Sequence, residues 1–152
     1  MFRATIVCMS DKGYRGERED TSSNVIEEIL LENNYTISEK IIIGEGTAYP
    51  LNGLLTLPEN MDRRVPAVVF VHGSGSSNMD EKVGKLTPFK DLAEGLAKYG
   101  IASIRYDKRS YAHGFKMIRD KSKPITIKEE TIEDAILATE LLKKDPRIDA
   151  EK

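Results

Sequence analysis

Six consecutive residues, Pro66-Ala67-Val68-Val69-Phe70-Val71, constrain the fold of this chain more than any others. The run is apolar without polar alternation. That predicts a strand covered on both faces, as in a parallel sheet. It breaks off at His72-Gly73-Ser74-Gly75-Ser76-Ser77, a glycine- and serine-rich turn. A buried strand feeding such a turn is the first half of a strand–helix unit. In open α/β sheets ligands are met at the carboxyl ends of strands.

The remaining pattern agrees with strands alternating with helices. Ala4–Met9, Ile37–Ile43, Leu51–Leu57 and Ile101–Arg105 read as further strands, with Leu51–Leu57 pairing as a hairpin with Ile41–Ile43. Val25, Ile26, Ile29 and Leu30 recur at helical spacing, with Asn24 and Glu27 as a cap pair. Thr87-Pro88 opens a helix whose apolar stripe is Phe89, Leu92, Ala93, Leu96 and Ala97, and Gly100 closes it. Residues 110–123 read as a loop or lid. Thr126 and Glu129 form a capping box for a helix that carries Ile132, Ala135, Ile136, Thr139 and Leu142 to Lys144. The expected architecture is a mostly parallel sheet flanked by helices, a Rossmann-like α/β sandwich with right-handed crossovers.

Composition narrows the function classes. The 152 residues are 39% hydrophobic, enough for one core, and 25 acidic against 23 basic side chains leave a net charge of −2. Bulk electrostatic binding of nucleic acid is not expected from that balance. Residues 1–43 carry five basic and eight acidic groups, and the rest carry 18 and 17. No apolar run approaches the roughly 20 residues that span a bilayer. The N-terminus is too soon charged for a secretory signal. A cytoplasmic setting is the expectation. Cys8 has no internal disulfide partner and, with two histidines, makes a poor zinc set. It reads as a small hydrophobe within a strand.

The turn at Gly73, Ser74 and Gly75 is the leading candidate for chemistry. Glycines there permit close approach of backbone to ligand, and exposed N–H groups could hold a developing oxyanion. The alternative is a turn that only connects two elements. A phosphate-binding P-loop is excluded, since no Gly-Lys-Ser/Thr follows. His113, alone in Tyr111-Ala-His-Gly-Phe115, reads as a packing residue rather than a catalytic base. Asp107 follows a strand end, but with Lys108 and Arg109 beside it a structural ion pair is the expected role. Lys116–Lys128 is basic and reads as a solvated lid.

Three segments in order carry a family resemblance: Val68-Val-Phe-Val-His-Gly-Ser-Gly, Pro88-Phe-Lys-Asp-Leu-Ala-Glu-Gly-Leu-Ala, and Gly100-Ile-Ala-Ser-Ile-Arg-Tyr-Asp-Lys-Arg. From about Ile43 to Lys152 the chain resembles the N-terminal half of an α/β-hydrolase, closest to the dienelactone-hydrolase and acyl-peptidase-like esterases. The resemblance implies a carboxylesterase or acyl hydrolase. Ser74 would supply one oxyanion-hole N–H, and Gly73 and Gly75 would shape the turn. It also implies that Arg105–Arg109 has a mainly structural role. Such enzymes carry a nucleophilic serine in Gly-x-Ser-x-Gly, followed by an acid and a histidine. No Gly-x-Ser-x-Gly occurs in this sequence. Neither His72 nor His113 occupies the family's base position, so the expected site is catalytically incomplete. That reading needs no cofactor. Its ligand, if any, is a small-molecule ester.

Residues 1–43 resemble a different family. Met9-Ser-Asp-Lys-Gly-Tyr-Arg-Gly-Glu-Arg-Glu-Asp-Thr-Ser is similar to the opening of the molybdopterin adenylyltransferases. Ser10, Asp11, Asp20 and Ser22 fall on that family's pterin-binding motif, although Ser23 stands where glycine is usual. The family's later Gly-Gly-Thr-Gly and Asp-x-Thr segments are absent. The chain thus reads as one α/β domain of composite origin: a βαβ segment over 1–43 and a truncated hydrolase over 44–152. The alternatives are a molybdopterin-binding remnant or a recombined or engineered chimera without native activity. Such a half-hydrolase exposes a sheet edge through which two copies could pair.

Overall fold

The computed structural model describes residues 3–4, 36–119 and 125–152. Five strands are defined among them: β1 (Arg3–Ala4), β2 (Thr36–Ile43), β3 (Leu51–Thr56), β4 (Ala67–Val69) and β5 (Ala102–Tyr106). They form one sheet in the order β1-β2-β3-β5-β4.

The sheet is mixed rather than mostly parallel. β1 runs parallel to β2 and β4 parallel to β5, but the β2–β3 and β3–β5 ladders are antiparallel. The reason is the short β2–β3 connection. Residues 44–50 form a tight turn with Gly44 at φ 66° and Gly46 at φ 79°, and a chain reversed so quickly can only pair antiparallel. The expected hairpin pairing of Leu51–Leu57 with Ile41–Ile43 is present, with Ile43 opposite Leu51 and Ile41 opposite Gly53.

Placement at the sheet's edge also corrects the expectation for Pro66–Val71. Only Ala67–Val69 is strand, and β4 pairs with β5 alone along its length. Val68 is 37% and Val71 44% exposed. The strand buried on all sides is instead β5, which lies between β3 and β4 with all five residues buried. Just before β4 a single parallel bridge joins Val65 to Ile148: Val65 N–H donates to Arg147 O (3.0 Å) and Asp149 N–H to Val65 O (2.8 Å).

Three helices are described: α1 (Pro88–Lys98), α2 (Arg109–Arg119) and α3 (Glu133–Lys144). α1 ends as expected. Gly100, at φ 77°, donates to Ala97 O (3.1 Å) and Ile101 to Leu96 O (3.1 Å), the paired bonds of a Schellman cap. Thr87 makes no side-chain cap bond to backbone, and Leu92 of the expected stripe is 53% exposed. The capping box before α3 is present. Thr126 N–H donates to Glu129 (3.0 Å) and Lys128 N–H to Thr126 Oγ1 (3.2 Å). A π-turn over Lys128–Ile132 then leads into the helix.

Where a loop or lid was expected from residue 110, the chain is helical to Arg119, kinked at His113 (φ −129°, ψ 15°). The core gathers Ile43, Leu51, Leu55, Leu57, Val65, Ala102, Ile104 and Tyr106 from the sheet side with Ala138, Leu142 and Ile148. Among the described residues no helix is long and apolar enough to cross a membrane.

Candidate functional site

The end of β5 organises the turn that follows β4. Successive residues of Arg105-Tyr-Asp-Lys108 each hold a different point of the segment 72–81. Arg105 is fully buried; its Nε donates to Asp80 Oδ1 (3.0 Å) and its Nη1 to Thr56 Oγ1 (2.8 Å), which in turn meets Ser38 Oγ at 3.0 Å. The Tyr106 carbonyl lies 2.5 Å from His72 Nε2. Asp107 Oδ1 accepts the Met79 N–H at 2.9 Å. Lys108 donates from its Nζ to Gly73 O (2.7 Å) and from its backbone N–H to Ser77 O (3.1 Å).

His72 closes the segment on itself. Its Nδ1 lies 2.5 Å from Glu81 Oε2, and its ring sits 5.2 Å from Phe89 and edge-on to Tyr106 at 5.6 Å. At 5% exposure and with both ring nitrogens engaged, His72 fixes the loop and has no nitrogen free to act as a base. Burial, then the nearby Asp134 charge, push the Tyr106 hydroxyl above its ordinary range, so it stays neutral.

Between these anchors Gly73, Ser74, Gly75 and Ser76 are exposed. Their amide groups donate to no group among the described residues. Gly75 sits at φ 94°, a left-handed conformation that a side chain would strain. The result is a rigidly tethered turn that presents unengaged N–H donors at the carboxyl end of a strand.

Lys108 and Glu130 are the residues that sequence reasoning passed over. Lys108 is 2% exposed, and its ammonium also meets Glu130 Oε1 at 3.1 Å, which holds the Glu130 carboxyl below the ordinary carboxylate range. Lys108 was visible at a strand end, yet nothing in the sequence linked it to Glu130.

The other candidates fall elsewhere. His113 Nε2 meets Pro50 O at 2.7 Å and its ring packs edge-on against Tyr49 at 5.6 Å, a packing role. Asp107 makes no ion pair with its neighbours. Lys108 turns to Glu130, and Arg109 to Asp134 and Glu133. Lys116, expected in a solvated lid, donates to Ala48 O at 2.6 Å. Ser10, Asp11, Asp20 and Ser22 lie outside the described residues, as does Cys8. Among the described residues no cluster of three His, Cys, Asp or Glu could hold a metal ion.

Comparison with known proteins bears on this turn. Over 100 residues the chain is 41% identical to the esterase EstD of Thermotoga maritima. It is related to an esterase. The match covers 64% of this chain and 22% of the esterase, so the chain spans about a fifth of that relative's length. No protein-family model matches the chain.

Proposed function

We propose that residues 72–81 are the oxyanion-holding segment of an α/β-hydrolase-type carboxylesterase, and that none of these 152 residues serves as the nucleophile. The single observation that carries the reading is the exposed run Gly73–Ser76, its amides unengaged and its flanks tied to β5. Attack on an ester carbonyl puts negative charge on its oxygen. Preorganised backbone donors aimed at that charge need no reorganisation as it develops. The kinship to an esterase supports the ester as substrate class. A turn with donors but no nucleophile binds a carboxylate or an oxyanion without forming an acyl-enzyme. The pterin-enzyme likeness of residues 1–43 carries no part of this reading.

Two measurements test it. Sodium acetate, titrated into the ¹⁵N-labelled chain against a sodium chloride control of equal ionic strength, should move the Ser74 amide resonance saturably. A Ser74 amide that ignores acetate overturns the oxyanion reading. A fluorophosphonate probe should label no serine, and p-nitrophenyl acetate should show no serine-dependent turnover. A labelled serine whose replacement abolishes turnover overturns the claim of incompleteness.

A further inference from the structure

We propose that Lys108 is a positioning residue for the Ser74 amide: by holding the Gly73 carbonyl it turns the Gly73–Ser74 peptide so that its N–H faces outward. The inference rests on the oxyanion-holding reading of the turn. Its geometry follows from the peptide group. No cis peptide bond occurs among the described residues, and across a trans peptide the carbonyl of one residue and the N–H of the next point in opposite directions. Gly73 O is drawn inward to the Lys108 ammonium at 2.7 Å, on a side chain only 3% exposed. The Ser74 N–H is thereby directed away from Lys108, toward the exposed side of the turn.

A pin is needed at this peptide in particular. It is flanked by Gly73 and lies one residue from Gly75, and a Cβ placed on either glycine would meet nothing within 4 Å. On the Gly73 side no side chain limits rotation of the peptide plane, so the bond to its carbonyl adds a restraint there that glycine itself does not supply. Lys108 also strengthens the donor it orients. A carbonyl that accepts from a cation leaves its peptide more polarised, so the N–H on the far side donates more strongly. A buried ammonium is costly unless it is fully partnered. Glu130 Oε1 at 3.1 Å supplies the opposite charge, and Lys108 N–H to Ser77 O fixes the far end of the same turn.

The test compares wild type with Lys108→Met and Lys108→Arg as full ¹⁵N-labelled chains. Spectra without ligand are followed by titration with sodium acetate. The Met variant should shift the Ser74 amide in the ligand-free spectrum and weaken its response to acetate by about tenfold, on the order of 1.4 kcal/mol. Lys108→Arg, which keeps a cationic donor, should restore most of the response. Loss of stability alone would lower the unfolding midpoint without changing the acetate response of the folded fraction. A Met variant that responds to acetate as wild type does overturns the proposal. Should Lys108→Met fail to fold, the wild-type ammonium decides: Lys108 NζH₃⁺ protons should exchange slowly with water and couple through the hydrogen bond to the Gly73 carbonyl carbon. Exchange as fast as that of exposed Lys98 overturns the proposal. If the wild-type Ser74 amide ignores acetate, the oxyanion reading fails by itself. Positioning by Lys108 is then judged on the ligand-free shift and the ammonium exchange.

Discussion

Arg109 grips Asp134 through two nitrogens, joining the start of α2 to the first turn of α3. Nε lies 3.2 Å and 3.1 Å from the two carboxylate oxygens and Nη2 lies 2.5 Å from Oδ1, with the side chains 8% and 2% exposed. Burial raises the Asp134 carboxyl and the Arg109 bond lowers it, with burial the larger effect. A pair of this kind specifies geometry more than it adds net stability, because each charge has left water.

Breaking that pair from one side should be costly. Asp134→Ala leaves a buried guanidinium with Glu133 as its remaining carboxylate partner, at 3.2 Å. A loss of about 3 kcal/mol is expected in urea unfolding. The double replacement Arg109→Met, Asp134→Leu should recover most of it, since no charge is then left buried. A single variant as stable as wild type would show that the pair is not formed in solution.

Gly53 should not tolerate a side chain. It lies in β3 with β2 and β5 on either side, and an added Cβ would come within 2.8 Å of the Arg105 carbonyl oxygen and 3.2 Å of Ile41. The carbonyl belongs to the fully buried strand β5 and cannot move aside. Gly53→Ala is expected to cost about 1–3 kcal/mol, read as a fall in thermal midpoint. Adding Ile41→Val should return only a small part, because the Ile41 contact is the softer of the two.

Ser103 offers the opposite case. It is fully buried in β5, and its Oγ meets no hydrogen-bond partner among the described residues. A buried hydroxyl without a partner costs free energy that a methyl group does not. Ser103→Ala should therefore be neutral or stabilise by up to about 1 kcal/mol in the same unfolding measurement. A loss above that range would mean that the hydroxyl has a partner.

These residues show what the sequence could and could not convey. Strand positions from Ile37 onward, the β2–β3 hairpin pairing, the Gly100 stop and the Thr126–Glu129 capping box were legible, because each is written in local residue order. The buried face of α3 was not. Periodicity pointed to Ile132, Ala135, Ile136, Thr139 and Leu142; of these only Leu142 is among the buried positions, which are Asp134, Ala138 and Leu142. A hydrophobicity pattern reads Asp134 as solvent-facing, and only its distant partner Arg109 makes burial tolerable. β4 failed for a related reason, since the cover of an apolar run depends on which strands come to lie beside it. At the site, Gly73–Gly75 was readable as a turn with exposed amides. The grip of Lys108 on Gly73, 35 residues apart in the chain, was not.

The acid limb of stability should be set by carboxylates tied to cations. Asp145 is held below its usual value of 3.8, first by its bonds to Arg147, whose Nε and Nη2 lie 2.9 Å and 2.7 Å from its oxygens. Glu130 is held below 4.5, first by Lys108. For both, the folded state binds a proton less readily than the unfolded chain. Their stabilising contribution is therefore complete above about pH 5 and is lost as pH falls through the lowered values. Asp134, raised by burial, works in the other sense: protonation of the folded state sets in at higher pH and offsets part of the loss. Urea midpoints measured from pH 7 down to pH 3 should thus fall on the acid side. Asp145→Asn should flatten that fall and cost about 1–2 kcal/mol at pH 7, because a charged acceptor of three Arg147 donors becomes a neutral one. An acid limb as steep in the variant as in wild type would place the titrating carboxylates elsewhere in the chain.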